Sequence, residues 1–257
     1  MAGLAFKTLG GEGEDLLLLH GFGADRLSWI GISPDLMTVA RVHALDLPGH
    51  GDSAAVPVGD GGVPDLARTV RAALTSAGIG RVHLLGHSLG GAIAMQIAAD
   101  EPERVSSLAL IAPAGLGDGP DPGFVSALPG LSDFAEAEAL LKRLVARPQL
   151  INKMTVQRLL GHLGRNGVRE ALRKIGSKLT AASEDLKALA DGIGRSAMPR
   201  LLLWGSEDRI NPINEPAAAR FGGLLCRIDA AGHLPHVEAA RQSTAALLPF
   251  YRDSGRG

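Results

Sequence analysis

A serine flanked by glycines carries the clearest chemistry in this sequence. Gly86-His87-Ser88-Leu89-Gly90-Gly91 follows an apolar run and opens onto a stretch with helical spacing. A strand that turns abruptly into a helix at such a motif strains the serine backbone and projects its hydroxyl from the turn. Gly86 and Gly90 keep side chains out of the crowded space, while Gly91, Ala92, Ala94, Ala98 and Ala99 let the helix lie close to the sheet. A hydroxyl is a poor nucleophile until a neighbouring base removes its proton. Ser88 is therefore read as a nucleophile that needs a base and a group to orient that base.

Two further loops supply them. The run 201–204 leads into Gly205-Ser206-Glu207-Asp208, and the run 224–228 leads into Asp229-Ala230-Ala231-Gly232-His233. Both lie just past the carboxyl end of an apolar run, the edge where open α/β sheets gather their ligands. Ser88, Asp208 and His233 are thus expected to converge, His233 taking the serine proton and Asp208 holding the imidazole tautomer. Each partner has a rival: Glu207 adjoins Asp208, and His236 follows His233 by three positions. Gly232 favours His233, because a tight turn there aims the next side chain.

An acyl-transfer step also needs donors for the oxyanion. His20-Gly21-Phe22-Gly23 follows the run 16–19, so the backbone N–H groups of Phe22 and Leu89 are the expected pair. His20 is expected to bond its loop in place, His43 and His83 to pack or be solvated, and His162 to lie at a surface. No close cluster of ligating side chains suggests a metal, and no cofactor is expected.

The elements that must position these residues alternate along the chain. Runs 16–19, 42–45, 82–85, 108–111, 201–204 and 224–228 read as strands buried on both faces of a parallel sheet. Helical patterns occupy 65–77, 89–100, 216–221 and 238–251, which argues for an α/β sheet with right-handed crossovers. Residues 6–9 predict an antiparallel edge strand. The alternation stops between two strands. A Gly/Pro-rich loop at 115–130 precedes helical stretches 133–147, 149–162, 168–179 and 184–190. The expected division is a core of 1–115 and 198–257, with a helical cap inserted at 116–197. The tail 253–257 reads as frayed.

Taken together, the blocks resemble the α/β-hydrolase fold family over nearly the whole chain. The carrying residues are His20-Gly21-Phe22-Gly23, Asp46-Leu47-Pro48-Gly49-His50-Gly51-Asp52-Ser53, the Ser88 turn, the Asp208 loop and Gly232-His233-Leu234-Pro235-His236-Val237-Glu238. The resemblance implies a mostly parallel sheet with an inserted cap. It assigns Asp46 to a structural turn and the acid role to Asp208 over Glu207. Serine at the nucleophile position separates the chain from the dehalogenase and epoxide-hydrolase branches, which carry aspartate there.

A narrower likeness links Leu110-Ile111-Ala112-Pro113-Ala114-Gly115-Leu116-Gly117 and the stretches Arg147-Pro148-Gln149-Leu150 and Gly167-Val168-Arg169-Glu170-Ala171-Leu172 to a more specific group. They are similar to the hydrolase-like domain of acetoin dehydrogenase acyltransferase subunits. Those subunits usually carry an amino-terminal lipoyl domain, for which the 15 residues before the first apolar run leave no room.

The implied activity is serine-dependent hydrolysis of esters, thioesters or related carbonyl compounds through an acyl-enzyme. Alternatives on the same scaffold are acyl transfer to a thiol or alcohol, hydrolysis of a carbon–carbon bond, and a non-catalytic binding protein. A binding protein has no physical need for Ser88, Asp208 and His233 together, which favours an enzyme.

Composition narrows the partners. In 257 residues, 26 Lys and Arg face 27 Asp and Glu, so the net charge of −1 offers no footprint for nucleic acid. The lone Cys226 excludes an intramolecular disulfide. The amino terminus lacks a secretory pattern, and no apolar run approaches the ~20 residues of a membrane span. The sequence therefore predicts a soluble, cytoplasmic protein acting on a small molecule, and carries no signal of oligomeric state. Trp29, Phe124, Phe134 and Met154 are candidate pocket residues. With only 4% aromatic residues, the pocket is expected to be aliphatic.

Overall fold

The computed structural model describes residues 3–254. Its strands are β1 (Phe6–Gly10), β2 (Asp15–Leu19), β3 (Arg41–Leu45), β4 (Val82–His87), β5 (Val105–Ile111), β6 (Arg200–Gly205) and β7 (Leu224–Ile228). They form one sheet in the order β1-β3-β2-β4-β5-β6-β7. β1 runs antiparallel to β3, as its sequence predicts, and every other pairing is parallel.

Parallel neighbours require crossovers, and these cover both faces with helices. In chain order the helices are α1 (Ser33–Leu36), α2 (Val63–Ser76), α3 (Leu89–Asp100), α4 (Pro122–Ala127), α5 (Phe134–Lys142), α6 (Lys153–Leu163), α7 (Val168–Ala181), α8 (Ser183–Gly194), α9 (Glu215–Phe221), α10 (Pro235–Glu238) and α11 (Ala240–Ser254). Strand side chains alternate between two apolar layers. Leu17, Leu19, Leu84, Leu108, Leu110 and Trp204 pack with residues of α2, α3, α8 and α9. Leu16, Leu18, Leu85, Ile111 and Leu203 pack with α1 and α11.

Several expectations need correction. β7 is not buried on both faces: Leu224 is 63% and Leu225 41% exposed, because the strand ends the sheet and pairs only with β6. The segment 115–130 is not wholly loop. Asp121 accepts from the Phe124 N–H at 2.9 Å, and Pro122 sits in the first turn, together starting α4. The helical pattern at 238–251 is split between α10 and α11, with Ala239 out of helical geometry at φ −132°. Asp253 and Ser254 close α11 instead of fraying, while 255–257 of the expected tail lie outside the described residues.

Between β5 and β6 the chain is helical, as its patterning predicts. α4 to α7 share an apolar cluster of their own, built around Phe124, Leu128, Leu141, Val156, Leu159 and Leu172. α8 differs. Its Leu186, Ala190 and Ile193 join the sheet-side layer, packed on α3 and α9. Among the described residues, no helix is long and apolar enough to cross a membrane.

Candidate active site

Ser88 sits between the end of β4 and the start of α3 with φ 51° and ψ −113°, a conformation that costs a non-glycine residue of order 1–3 kcal/mol. Surrounding bonds hold it there. The Ser88 N–H donates to the Ile111 carbonyl at 3.0 Å, and its own carbonyl accepts from Gly91, Ala92 and Ala114. The flanking glycines are required by close approach. A Cβ on Gly86 would lie 2.4 Å from the Gly90 oxygen, and one on Gly90 would lie 2.1 Å from the Leu19 oxygen.

Asp208 and His233, 25 positions apart in sequence, meet past the ends of β6 and β7. His233 Nδ1 lies 2.8 Å from Asp208 Oδ2, and both side chains are buried. The other carboxylate oxygen accepts from the N–H groups of Ile210 and Asn211, each at 2.9 Å, which fixes the plane of the carboxylate. A carboxylate facing Nδ1 only accepts, so this contact favours the neutral tautomer of His233 with its proton on Nδ1 and Nε2 free. The rivals are placed elsewhere. Glu207 is exposed, and His236 is buried with both ring nitrogens unpartnered among the described residues, its ring 4.8 Å from that of Trp29.

The loop His20-Gly21-Phe22-Gly23 lies directly against the His87-Ser88 turn. A Cβ on Gly21 would meet Ser88 Cβ at 3.3 Å and His87 Nδ1 at 2.6 Å. Two buried imidazoles brace the loop. His20 Nδ1 donates to the Gly21 carbonyl at 2.8 Å and its Nε2 accepts from the Leu47 N–H at 2.9 Å. His50 Nδ1 donates to the Pro48 carbonyl, while its Nε2 accepts from the Gly23 N–H at 3.1 Å. These bonds need neutral rings, and burial accordingly pushes both histidines below the ordinary imidazole value. Leu89 opens α3, so its N–H has no acceptor within the helix. Asp46 accepts from the N–H groups of Arg26 and Asp52, each at 2.7 Å, as a turn residue would.

Ser88, His233 and Phe22 share a cavity of about 260 Å³ that is also lined by residues of α4, α5 and α6. Phe124, Val125, Leu128, Leu141 and Val145 make it largely apolar. α6 lays Thr155, Arg158, Leu159 and His162 along it, the i, i+3, i+4, i+7 spacing of one helix face. Arg158 Nε reaches Asp25 Oδ2 at 3.1 Å, so this side of the cavity is polar.

Of the aromatic and methionine candidates, Phe124 lines this space and three do not. Trp29 is fully buried against His236 in the layer shared with α1 and α11. Phe134 opens α5 at 37% exposure, outside the cavity wall. Met154 precedes the inward stripe of α6, and the 100° turn per residue leaves it 77% exposed. His162 is not at a free surface: it is half-buried on the cavity side. Among the described residues, no group of His, Cys, Asp and Glu is arranged to hold a metal ion.

His50, His87 and Glu238 also contribute to the site, through long-range bonds that no local sequence signal reveals. His87 Nε2 donates to the His233 carbonyl at 2.9 Å. Its spacing inside the Ser88 motif was visible, but its partner is 146 positions away.

Burial holds His236 down at about 3, and His20, His50, His87 and His162 also lie below their ordinary value, in each case chiefly through burial. They stay neutral in the folded chain over a range where the unfolded chain takes up protons. Stability is therefore lost as pH falls below about 6.5, by up to about 1.4 kcal/mol per pH unit for each of the fully buried His20, His50, His87 and His236, and by less for the half-buried His162, which solvent screens. Urea unfolding at pH 7.5 and 5.0 should give a clearly lower midpoint at pH 5.0, and His236→Phe should flatten the dependence. Equal midpoints for the unaltered protein would contradict it.

The alpha/beta hydrolase fold family matches residues 16–240, and the chain belongs to that family. It is 36% identical over 251 residues to the dihydrolipoyllysine-residue acetyltransferase component of the acetoin cleaving system of Pseudomonas putida, covering 97% of this chain and 66% of that protein. The chain thus spans just under two thirds of that relative's length. It is also 33% identical to a pimeloyl-[acyl-carrier protein] methyl ester esterase of Aeromonas hydrophila subsp. hydrophila, over 83% of this chain and 78% of the relative. Among solved structures, a thermophilic esterase from Thermogutta terrifontis superposes with TM-score 0.78 at 26% identity, covering 98% of this chain and 94% of that one. Family and relatives alike make this protein an enzyme of the α/β-hydrolase kind.

Proposed function

We propose that this chain hydrolyses esters or thioesters of aliphatic acids through an acyl-enzyme on Ser88. The observation that carries the reading is the 2.8 Å pairing of His233 Nδ1 with Asp208, which leaves the imidazole Nε2 as a base in the cavity shared with Ser88. In this mechanism the Ser88 oxygen attacks the substrate carbonyl carbon while its proton passes to His233 Nε2. The backbone N–H groups of Phe22 and Leu89 stabilise the resulting oxyanion. Collapse of the tetrahedral intermediate breaks the bond to the leaving group, which takes the proton from His233. Water then attacks the acyl-enzyme by the same route and frees the acid. Asp208 stabilises the imidazolium formed in each half of the cycle.

The apolar cavity wall supports an aliphatic acyl group. The domain division follows the same logic: 1–115 and 198–257 carry the chemistry, and 116–197 supplies the cap, with α8 docked on the core. A second reading is acyl transfer, supported by the acetyltransferase component at 36% identity. The two differ only in whether water or a thiol resolves the acyl-enzyme.

A fluorophosphonate probe should label Ser88 covalently, and a panel of aliphatic p-nitrophenyl esters and acyl thioesters should then be turned over. Added dithiol that accelerates turnover and yields a new thioester selects transfer over hydrolysis. Failure of the probe to label Ser88 would overturn the nucleophile assignment.

A further inference from the structure

We propose that Glu238 is a positioning residue that sets the catalytic base by tying its loop to the segment leaving α5; the proposal rests on the acyl-enzyme reading above. Glu238 belongs to α10, is 7% exposed, and divides its carboxylate between two parts of the chain. Oε1 accepts from the Gly232 N–H at 2.6 Å, immediately before His233. Oε2 accepts from the N–H groups of Ala146 at 2.9 Å and Arg147 at 3.2 Å, some 90 positions away in sequence. The Arg147 guanidinium in turn donates to the Glu238 carbonyl. A parallel bond joins the same two segments: the His233 N–H donates to the Leu144 carbonyl at 2.8 Å.

These contacts define what the carboxylate does. Three backbone N–H groups from two segments converge on it, and a buried N–H left without an acceptor is costly. Only a carboxylate can accept from both directions at once. Leu144 and Val145, in the same short segment, line the cavity. The chain that touches substrate is therefore the chain whose backbone holds His233 in register with Asp208 and Ser88. Glu238 couples the seat of the cap to the position of the base without touching the reacting atoms.

Glu238→Gln tests this at constant size. The amide can accept on one side only, and its NH2 group must face an N–H on the other. On p-nitrophenyl butyrate, kcat per active site should fall about 10–100-fold, as expected for a small displacement of a catalytic group, with KM within about threefold. Fluorophosphonate should still titrate the full complement of sites, but with a labelling rate reduced in step with kcat. Glu238→Asp keeps both acceptor oxygens and should recover a substantial part of the loss. A merely structural role would instead lower the number of titratable sites and leave kcat per site unchanged, and that result would overturn the proposal. So would full activity in Glu238→Gln while the unaltered enzyme labels normally. An unaltered enzyme that takes no label at all would overturn the acyl-enzyme reading and this one with it.

Discussion

Ser88→Ala is expected to lower kcat on any substrate of the proposed reaction by roughly 10⁶-fold, because no other group can form the acyl-enzyme. The folded state should survive the change. Alanine and serine share a Cβ, so the φ of 51° is no more strained in the variant. The bonds that hold the turn are made by the Ser88 backbone, which the substitution leaves in place. Circular dichroism and the thermal midpoint should match those of the unaltered protein while steady-state turnover vanishes. Turnover within tenfold of the unaltered enzyme would remove Ser88 from the mechanism.

Asp208→Asn should lower kcat by about 10⁴-fold while changing KM little. The loss comes from a change of tautomer at His233. Two backbone N–H groups, from Ile210 and Asn211, require an oxygen at the Oδ1 position. Asparagine satisfies them with its carbonyl and turns its NH2 group toward His233 Nδ1. That nitrogen must then accept, so the imidazole proton moves to Nε2 and the base is lost where Ser88 needs it. Steady-state kinetics of the purified variant, with stability measured alongside, would check this. A loss below tenfold would mean that Asp208 does not set the tautomer, and the exposed Glu207 would then require its own substitution.

Much of this arrangement can be read from the amino acids because the signals are local. A glycine pair around Ser88, apolar runs ending in Asp208 and His233, and a gap in the strand pattern after Ile111 each reside in a few consecutive residues. β7 misled because Leu224, Leu225 and Ile228 read like an interior strand; the charged Arg227, which is exposed, is the local sign that this strand lies at the sheet edge. α4 was hidden by its glycines and prolines, although Asp121 before Pro122 is a helix start. Trp29, Phe134 and Met154 fail as cavity residues for another reason: a large side chain is equally suited to core or pocket, and long-range packing decides. His50, His87 and Glu238 act through backbone partners 27, 146 and about 90 positions away, so no window of sequence contains both ends of their bonds.

The inward face of α6 has a consequence for any molecule that enters. Thr155, Arg158 and His162 make one flank of the chamber wet, while Phe124, Val125 and Leu128 keep another oily. A ligand with unlike ends gains free energy in one of its two orientations and loses it in the other, since an oily tail cannot repay the guanidinium for displaced water. The chamber therefore sorts molecules by direction before any bond is broken.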